Sequence, residues 1–356
     1  MSESRLARVG RARFSLYTRR REPSVEPLRP SPRRHRVPDY PLNSSLPTIE
    51  APHEGYHHAA LMYAGRDQFV PQMVPFLRAG IAAREPTLVV VGSEKIDLLR
   101  TALNGDAGHV AFADMNDVGA NPARIIPAWQ DFIDAHPGRR LRGIGEPIFP
   151  ERSPAELIEC QHHERLLNLA LEESELTLVC PYDTVALDPD VIEEAYHSHP
   201  VVSDRGGERT SHSYARENVD ALLAGDLPEP RVPPHVVQFT SDSFRAIREL
   251  VARQADQEGL SRSRSDDLVL AVQEVVTNSV RHGGGSGTLR LWTDRAEIIC
   301  EVSDHGRIND PLADRRLPAD DRSGGWGLWL ANQLCDLVQL RTGPAGSVAR
   351  LHMRLG

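Results

Sequence analysis

Short unbroken apolar runs alternate with stretches of helical period through the first half of the chain, and that alternation restricts the fold more than any other feature. The clearest run is PTLVVVG at 86–92. With no polar residue alternating into it, it reads as a strand buried on both faces and closed by glycine. HHAALMYAG, HVAFADM, LRGIGEPIF and LTLVCPYD have the same character, LTLVCPYD being the expected last strand. Between them, FVPQMVPFLRAGIAAR carries helical spacing through Val70, Val74, Leu77 and Ile81. KIDLLRTALN, PARIIPAWQDFIDAH and AELIECQHHERLLNLALEE read as further helices. Strands joined by helices pair in parallel, so 51–202 is expected to be an α/β layered domain.

The pattern changes twice more. Residues 203–235 contain Gly206, Gly207 and prolines at 228, 230, 233 and 234, and are expected to be a linker. From 236, FRAIRELVARQADQEG and RSDDLVLAVQEVVTNSVRHG are helical, with Ser265 the expected N-cap of the second. TLRLWTD and AEIICEVSD alternate as a hairpin would, LWLANQLCD is helical, and LVQLRT and SVARLHMRL complete a sheet. Residues 236–356 are thus an expected α+β domain, helices layered on an antiparallel sheet.

Charge narrows the function. The chain of 356 residues has a net charge of −9, but residues 1–40 hold eleven arginines against four acidic residues, leaving a strongly acidic remainder. An acidic body does not suit phosphate contacts, so no direct nucleic-acid binding is expected. Residues 1–50, rich in arginine and proline, read as a disordered tail. No apolar run approaches a membrane span and the N-terminus lacks a secretory segment, so the chain is expected to be cytoplasmic, with no membrane partner. The four cysteines form no C-x-x-C pair and read as buried small hydrophobes. Cys160, His162 and His163 are close in sequence, but adjacent helical residues point about 100° apart. Without a further spaced ligand, no metal site is expected there.

Three motifs in the second domain carry chemistry. In EVVTNSVRH, Glu274 and Asn278 are one helical turn apart and share a face. SDHG places Asp304 after an apolar strand with Gly306 two positions on, and GGWGLWL puts Gly324, Gly325 and Gly327 at the opening of a helix. His282 reads as a helix-end residue, and Trp326 and Trp329 as packing residues. In this order the motifs resemble the GHKL (Bergerat) ATPase superfamily, and more narrowly its anti-sigma-factor serine kinases. The resemblance implies ATP and Mg²⁺ as cofactors, with Asn278 the magnesium ligand and Glu274 the residue that orients or deprotonates the attacking group. It also implies that Asp304 accepts the adenine amine, that Gly306 lets the base approach, and that Gly324, Gly325, Gly327 and Leu328 form the phosphate-facing turn and helix start. Many family members have a second glycine two positions after Gly306, where this chain has Ile308.

Histidine kinases of the superfamily carry an acceptor histidine just before this domain; the segment 239–273 has none. The implied partners are therefore an anti-sigma antagonist of STAS type, a sigma factor, or both, with homodimers common in the family. A non-catalytic, ATP-bound sequestering protein and an atypical sensor histidine kinase are the alternatives. Residues 51–202 resemble the MEDS sensory domain through HHAALMY, PFLRAGIAAREPTLVVVG, RGIGEPIF, CPYD and YHSHP. That likeness implies a RecA-like parallel-sheet fold that senses a small organic ligand. No phosphate-cradling G-x-x-x-x-G-K-[ST] occurs in it. His58, Glu146, Tyr182 and Asp183 fall at expected strand ends and are the candidate sensory pocket.

Overall fold

The computed structural model describes residues 55–204, 207–214, 223–316 and 326–355. The first domain runs β1 (His57–Tyr63), α1 (Arg66–Ala83), β2 (Thr87–Val91), α2 (Ser93–Leu103), β3 (Ala111–Asp114), α3 (Met115–Val118), a 3-10 turn (Pro122–Arg124) and α4 (Ile125–Asp134). It continues through β4 (Leu141–Gly145), α5 (Pro154–Ala170), β5 (Leu176–Asp183), α6 (Pro189–Ser198), β6 (Val201–Asp204) and β7 (Gly207–Thr210). The strands form one sheet in the order β3-β2-β4-β5-β1-β6-β7, parallel throughout except for β7, which runs antiparallel to β6.

The continuous apolar runs are buried on both faces, as a parallel sheet requires. Leu88, Val90, Ala60, Met62, Leu178 and Tyr182 pack with Trp129 of α4 and Leu166 of α5. Their neighbours Val89, Val91, Leu61, Tyr63 and Val179 pack on the other side with Phe69 and Met73 of α1 and Leu99 of α2. Helix α5 begins at a capping box: Ser153 accepts from the Glu156 backbone N–H, and the Glu156 carboxylate accepts from that of Ser153. Two expectations fail here. LTLVCPYD is not the last strand, because α6, β6 and β7 follow, and β7 falls within the expected linker. The four-residue VVSD and GERT runs are too short to show a period, and pairing with the edge of an existing sheet decides them.

The second domain runs β8 (His235–Thr240), α7 (Phe244–Gln257), α8 (Arg262–His282), β9 (Ser286–Asp294), β10 (Glu297–Asp304), α9 (Trp326–Leu334), β11 (Leu337–Gly343) and β12 (Gly346–Arg354). Its antiparallel sheet has the order β11-β12-β10-β9-β8. Val251 and Ala255 of α7, Leu268 and Val272 of α8 and Ala331 of α9 share one core with Leu289, Ile298 and Leu351 of the sheet. The helix α8 starts earlier than expected: Ser261 is its N-cap, accepting from Arg264 N–H, and Ser265 is a buried interior residue.

The opposite face of this sheet is polar yet buried: Glu301, Gln339, Arg341, Arg350 and His352 are each 6 % exposed or less. The first domain covers part of it. Glu159 of α5 accepts from Arg341 at 2.8 Å and Gln339 at 3.3 Å, and Glu156 pairs with Arg354 at 2.5 Å. A second contact meets the C-terminal end of α9, where Arg124 donates to the carbonyls of Asn332 (2.8 Å) and Cys335 (2.9 Å) and Asn121 donates to Asn332 Oδ1 (2.9 Å). A guanidinium on the last carbonyls of a helix satisfies orphan acceptors and complements the helix dipole. A third contact is made by the segment between β10 and α9. Its Leu312 is buried in the core of the first domain, and Arg315 faces Glu159 at 3.6 Å.

Candidate nucleotide site

A pocket of about 560 Å³ opens between α8, the ends of β10 and β12, the segment 306–313 and Leu328 of α9. Asn278 and Asp304 line it from different elements, and Gly306, Arg307 and Ile308 line it beside Asp304. That volume lies within the range of small-molecule and cofactor sites. The helix α8 holds Asn278 on the pocket wall, beside Val275 and Ser279, because Leu268, Val272 and Val276 bury another face of the helix in the core. The carboxamide of Asn278 makes no hydrogen bond among the described residues, so its oxygen is available to a cation or a ligand.

The Asp304 end is built by close backbone approach. Asp304 Oδ1 accepts the N–H of Gly306 at 2.7 Å, and the Gly306 carbonyl accepts from Ser347 Oγ at 2.9 Å. A Cβ at Gly306 would meet the His282 carbonyl at 2.7 Å, and one at Gly283 would meet Asp304 Cγ at 2.3 Å. Gly283 is a further determinant: in the sequence it only closes the helical run RSDDLVLAVQEVVTNSVRHG, whereas its place against Asp304 depends on the chain folding back. Replacing Gly283 with Ala is expected to push the Asp304 carboxylate aside and weaken ATP binding by about 10-fold or more, the worth of one charge-assisted hydrogen bond. Titration with a fluorescent ATP analogue measures it, with unchanged circular dichroism as the control.

Other candidates fall less centrally. Glu274 is half-buried one turn before Asn278 and is outside the pocket lining. Gly327 lies in the first turn of α9, where a Cβ would stand 2.6 Å from Asn278 Nδ2 and 3.4 Å from Glu274 Cβ. Its glycine therefore serves close packing of α9 on α8. Gly324 and Gly325 lie outside the described residues. Ile308, at the position of the family's second glycine, lines the pocket and donates its N–H to Thr342 Oγ1 at 3.2 Å. Trp326 and Trp329 pack edge to face at 5.6 Å.

The four candidates of the first domain do not form one pocket. His58 and Tyr182 are on the sheet face covered by α5 and α6, whereas Glu146 and Asp183 turn toward α1 and α2. Strand periodicity separates Tyr182 from Asp183, since consecutive side chains point to opposite faces. Glu146 accepts from Tyr63 Oη at 2.8 Å and from Lys95 Nζ at 2.5 Å. Burial pushes its carboxyl above the ordinary value against the pull of Lys95. The only lysine of the chain thus belongs to a polar cluster at the carboxyl ends of the parallel strands, where α/β sheets place ligands. Cys160 donates to the Pro147 carbonyl, and His162 Nδ1 lies 3.7 Å from Glu159 Oε2.

An antiparallel sheet under three helices, with a pocket between an asparagine-bearing helix and an aspartate-glycine strand end, defines the GHKL class of nucleotide-binding domain. Residues 237–353 match the family model described as Histidine kinase-like ATPase domain, and residues 57–200 match that of the MEDS (MEthanogen/methylotroph, DcmR Sensory) domain. Among curated proteins, the chain is similar to the serine-protein kinase RsbW of Halalkalibacterium halodurans, 31% identical over 127 residues, which covers 32% of this chain and 77% of the relative. The chain belongs to the histidine kinase-like ATPase family, with a MEDS sensory domain ahead of its ATPase domain. Among the described residues, no helix is long and apolar enough to cross a membrane.

Proposed function

We propose that the protein is an ATP-dependent serine/threonine protein kinase whose sensory domain controls phosphorylation of an anti-sigma antagonist. The observation that carries this reading is the juxtaposition of Asn278 and Asp304 in one pocket. Asp304 keeps acceptor capacity beyond the Gly306 N–H, and an acceptor at that point selects the amine of adenine over the carbonyl of guanine. Asn278 presents one carboxamide oxygen, a sufficient protein contribution for Mg²⁺, which retains waters and takes its other ligands from phosphates. Held there, Mg²⁺ would supply neutralisation of the phosphate charge. The chain's own work is positioning: Asp304 and Gly306 fix the base, Asn278 fixes the phosphate end, and Glu274 orients the attacking hydroxyl. The similarity to a serine-protein kinase supports a serine or threonine acceptor.

Control has a physical route. The segment after Asp304 lines the nucleotide pocket through Ile308 and Asp310, then buries Leu312 in the core of the sensory domain. A ligand that shifts the first domain therefore acts on the pocket wall directly. The Glu146–Lys95 cluster is the place such a ligand, a small polar organic molecule, would bind.

The test is incubation of the purified protein with Mg²⁺ and γ-labelled ATP, with and without antagonist proteins from the same cell. The kinase reading expects label on a serine or threonine of one antagonist, and its loss in Glu274→Ala while ATP still binds. Nucleotide binding with no transfer to any antagonist overturns it in favour of a sequestering protein that uses ATP as a structural ligand.

A further inference from the structure

Four side chains from four elements converge on the face of the first sheet covered by α5 and α6: His58 of β1, Glu164 of α5, Cys180 of β5 and His199, which follows α6. None is more than 1 % exposed. One ligand atom of each lies within 4.8 Å of all the others. Glu164 Oε2 is 3.2 Å from His58 Nε2, 3.4 Å from His199 Nε2 and 3.4 Å from Cys180 Sγ, and His58 Nε2 is 3.4 Å from that sulfur. Ligands at about 2.0–2.3 Å from a tetrahedral zinc ion stand about 3.3–3.8 Å from one another. Four of the six ligand-to-ligand distances are thus close to those of a tetrahedron around one cation, and the other two lie within 4.8 Å.

The ring orientations point the same way. His58 Nδ1 lies 3.0 Å from Asn168 Oδ1, and the Asn168 amide group donates to the Ser198 carbonyl at 2.8 Å, which fixes its oxygen toward the ring. His199 Nδ1 lies 2.9 Å from the Ala195 carbonyl. A carbonyl only accepts, so both Nδ1 atoms carry protons and both Nε2 atoms face Glu164. Histidine metal ligands are held in this way, with the second nitrogen donating to an outer acceptor. An imidazole lone pair against a carboxylate oxygen is repulsive unless positive charge lies between them.

Two protons could supply that charge, but they would place two imidazolium rings 4.1 Å apart beside a single carboxylate. A divalent ion needs neither charged ring. With the Cys180 thiolate and the Glu164 carboxylate it forms a neutral site, which a fully buried position favours. Glu164 Oε1 and His199 Nε2 are buried without hydrogen-bond partners, as atoms awaiting coordination would be.

We propose that His58, Glu164, Cys180 and His199 bind a divalent first-row transition-metal ion, with Zn²⁺ the ion of best fit. Nitrogen, sulfur and oxygen donors in a tetrahedron suit zinc's borderline softness and lack of geometric preference. Binding releases the Cys180 proton to solvent. The ion joins β1, β5, the C-terminal end of α6 and α5, the helix that also carries Glu156 and Glu159 to the second domain.

The test uses the untagged full chain, stripped with a chelator and titrated with Co²⁺. The proposal expects about one equivalent bound, a thiolate-to-cobalt charge-transfer band, displacement by Zn²⁺, and a higher melting temperature for the loaded protein. Cys180→Ser should lose the band and weaken binding by about 100-fold or more. Cys160→Ser, which removes a different buried thiol, should retain both. Absence of the band from a folded wild-type chain, or its persistence in Cys180→Ser, overturns the assignment and leaves the cluster a protonated hydrogen-bond network.

Discussion

Glu159→Ala is expected to destabilise the protein by about 3–5 kcal/mol, the usual cost of removing one partner from a buried ion pair. Glu159 is 2 % exposed, and around it stand Arg315 and Arg341, at 3 % and 6 %. Truncating the carboxylate leaves the Arg341 guanidinium buried without this counter-charge and Arg315 with Asp314, at 3.7 Å. Burial by itself would raise the Glu159 carboxyl, but His162, Arg341 and Arg315 outweigh it and hold it at about 2 against an ordinary 4.5. The pair therefore contributes fully above pH 4.5, and that contribution is lost as the pH falls toward 2. Urea unfolding across that range should show the wild type converging on Glu159→Ala in acid. A variant as stable as the wild type at neutral pH, with an unchanged acid profile, would remove Glu159 as a stabilising link between the domains. Arg315 belongs to the segment that continues from the nucleotide pocket, so the same variant should also alter ATP affinity without touching the pocket.

On the proposed kinase reading, Asn278→Ala is expected to lower phosphoryl transfer by about 10³-fold or more, since a misplaced metal would forfeit several kcal/mol of charge stabilisation in the transition state. Unfolding does not provide an alternative explanation. Asn278 is interior to α8, makes no side-chain hydrogen bond among the described residues, and alanine is the better helix former. The base end is untouched, so nucleotide affinity measured without Mg²⁺ should stay within about 3-fold of wild type, well under 1 kcal/mol. Transfer that survives in Asn278→Ala would move the metal site elsewhere. Equal loss of affinity with and without Mg²⁺ would make Asn278 a packing residue.

Much of this architecture was legible in the residues. The unbroken runs at 86–92 and 176–183 have only one structural use, a strand covered on both faces, and they form β2 and β5 at the centre of a parallel sheet. The Glu274–Asn278 pair, SDHG and GGWGLWL, taken in that order, carried the resemblance that nominated the nucleotide site, because each motif is local in the chain. The sequence did not show that the pocket depends on Gly283, that Lys95 joins Glu146, or that the polar face of the second sheet lies beneath the first domain. Nor did it show the grouping of His58, Glu164, Cys180 and His199, although three of these stand within HHAALMY, CPYD and YHSHP.

The division follows the range of the forces involved. Hydrophobic period, helix caps and glycine punctuation act within about ten residues and fix which elements form. Other pairings are made across 100 residues or more by strand order and domain docking, as between His58 and Cys180 or Glu159 and Arg341. Those pairings depend on burial, and a polar residue that will be exposed looks the same in sequence as one that will be buried against its partner. The chain alone therefore determined an α/β and an α+β fold and nominated the residues of one pocket; only the tertiary structure decided that the wall of that pocket is anchored in the other domain.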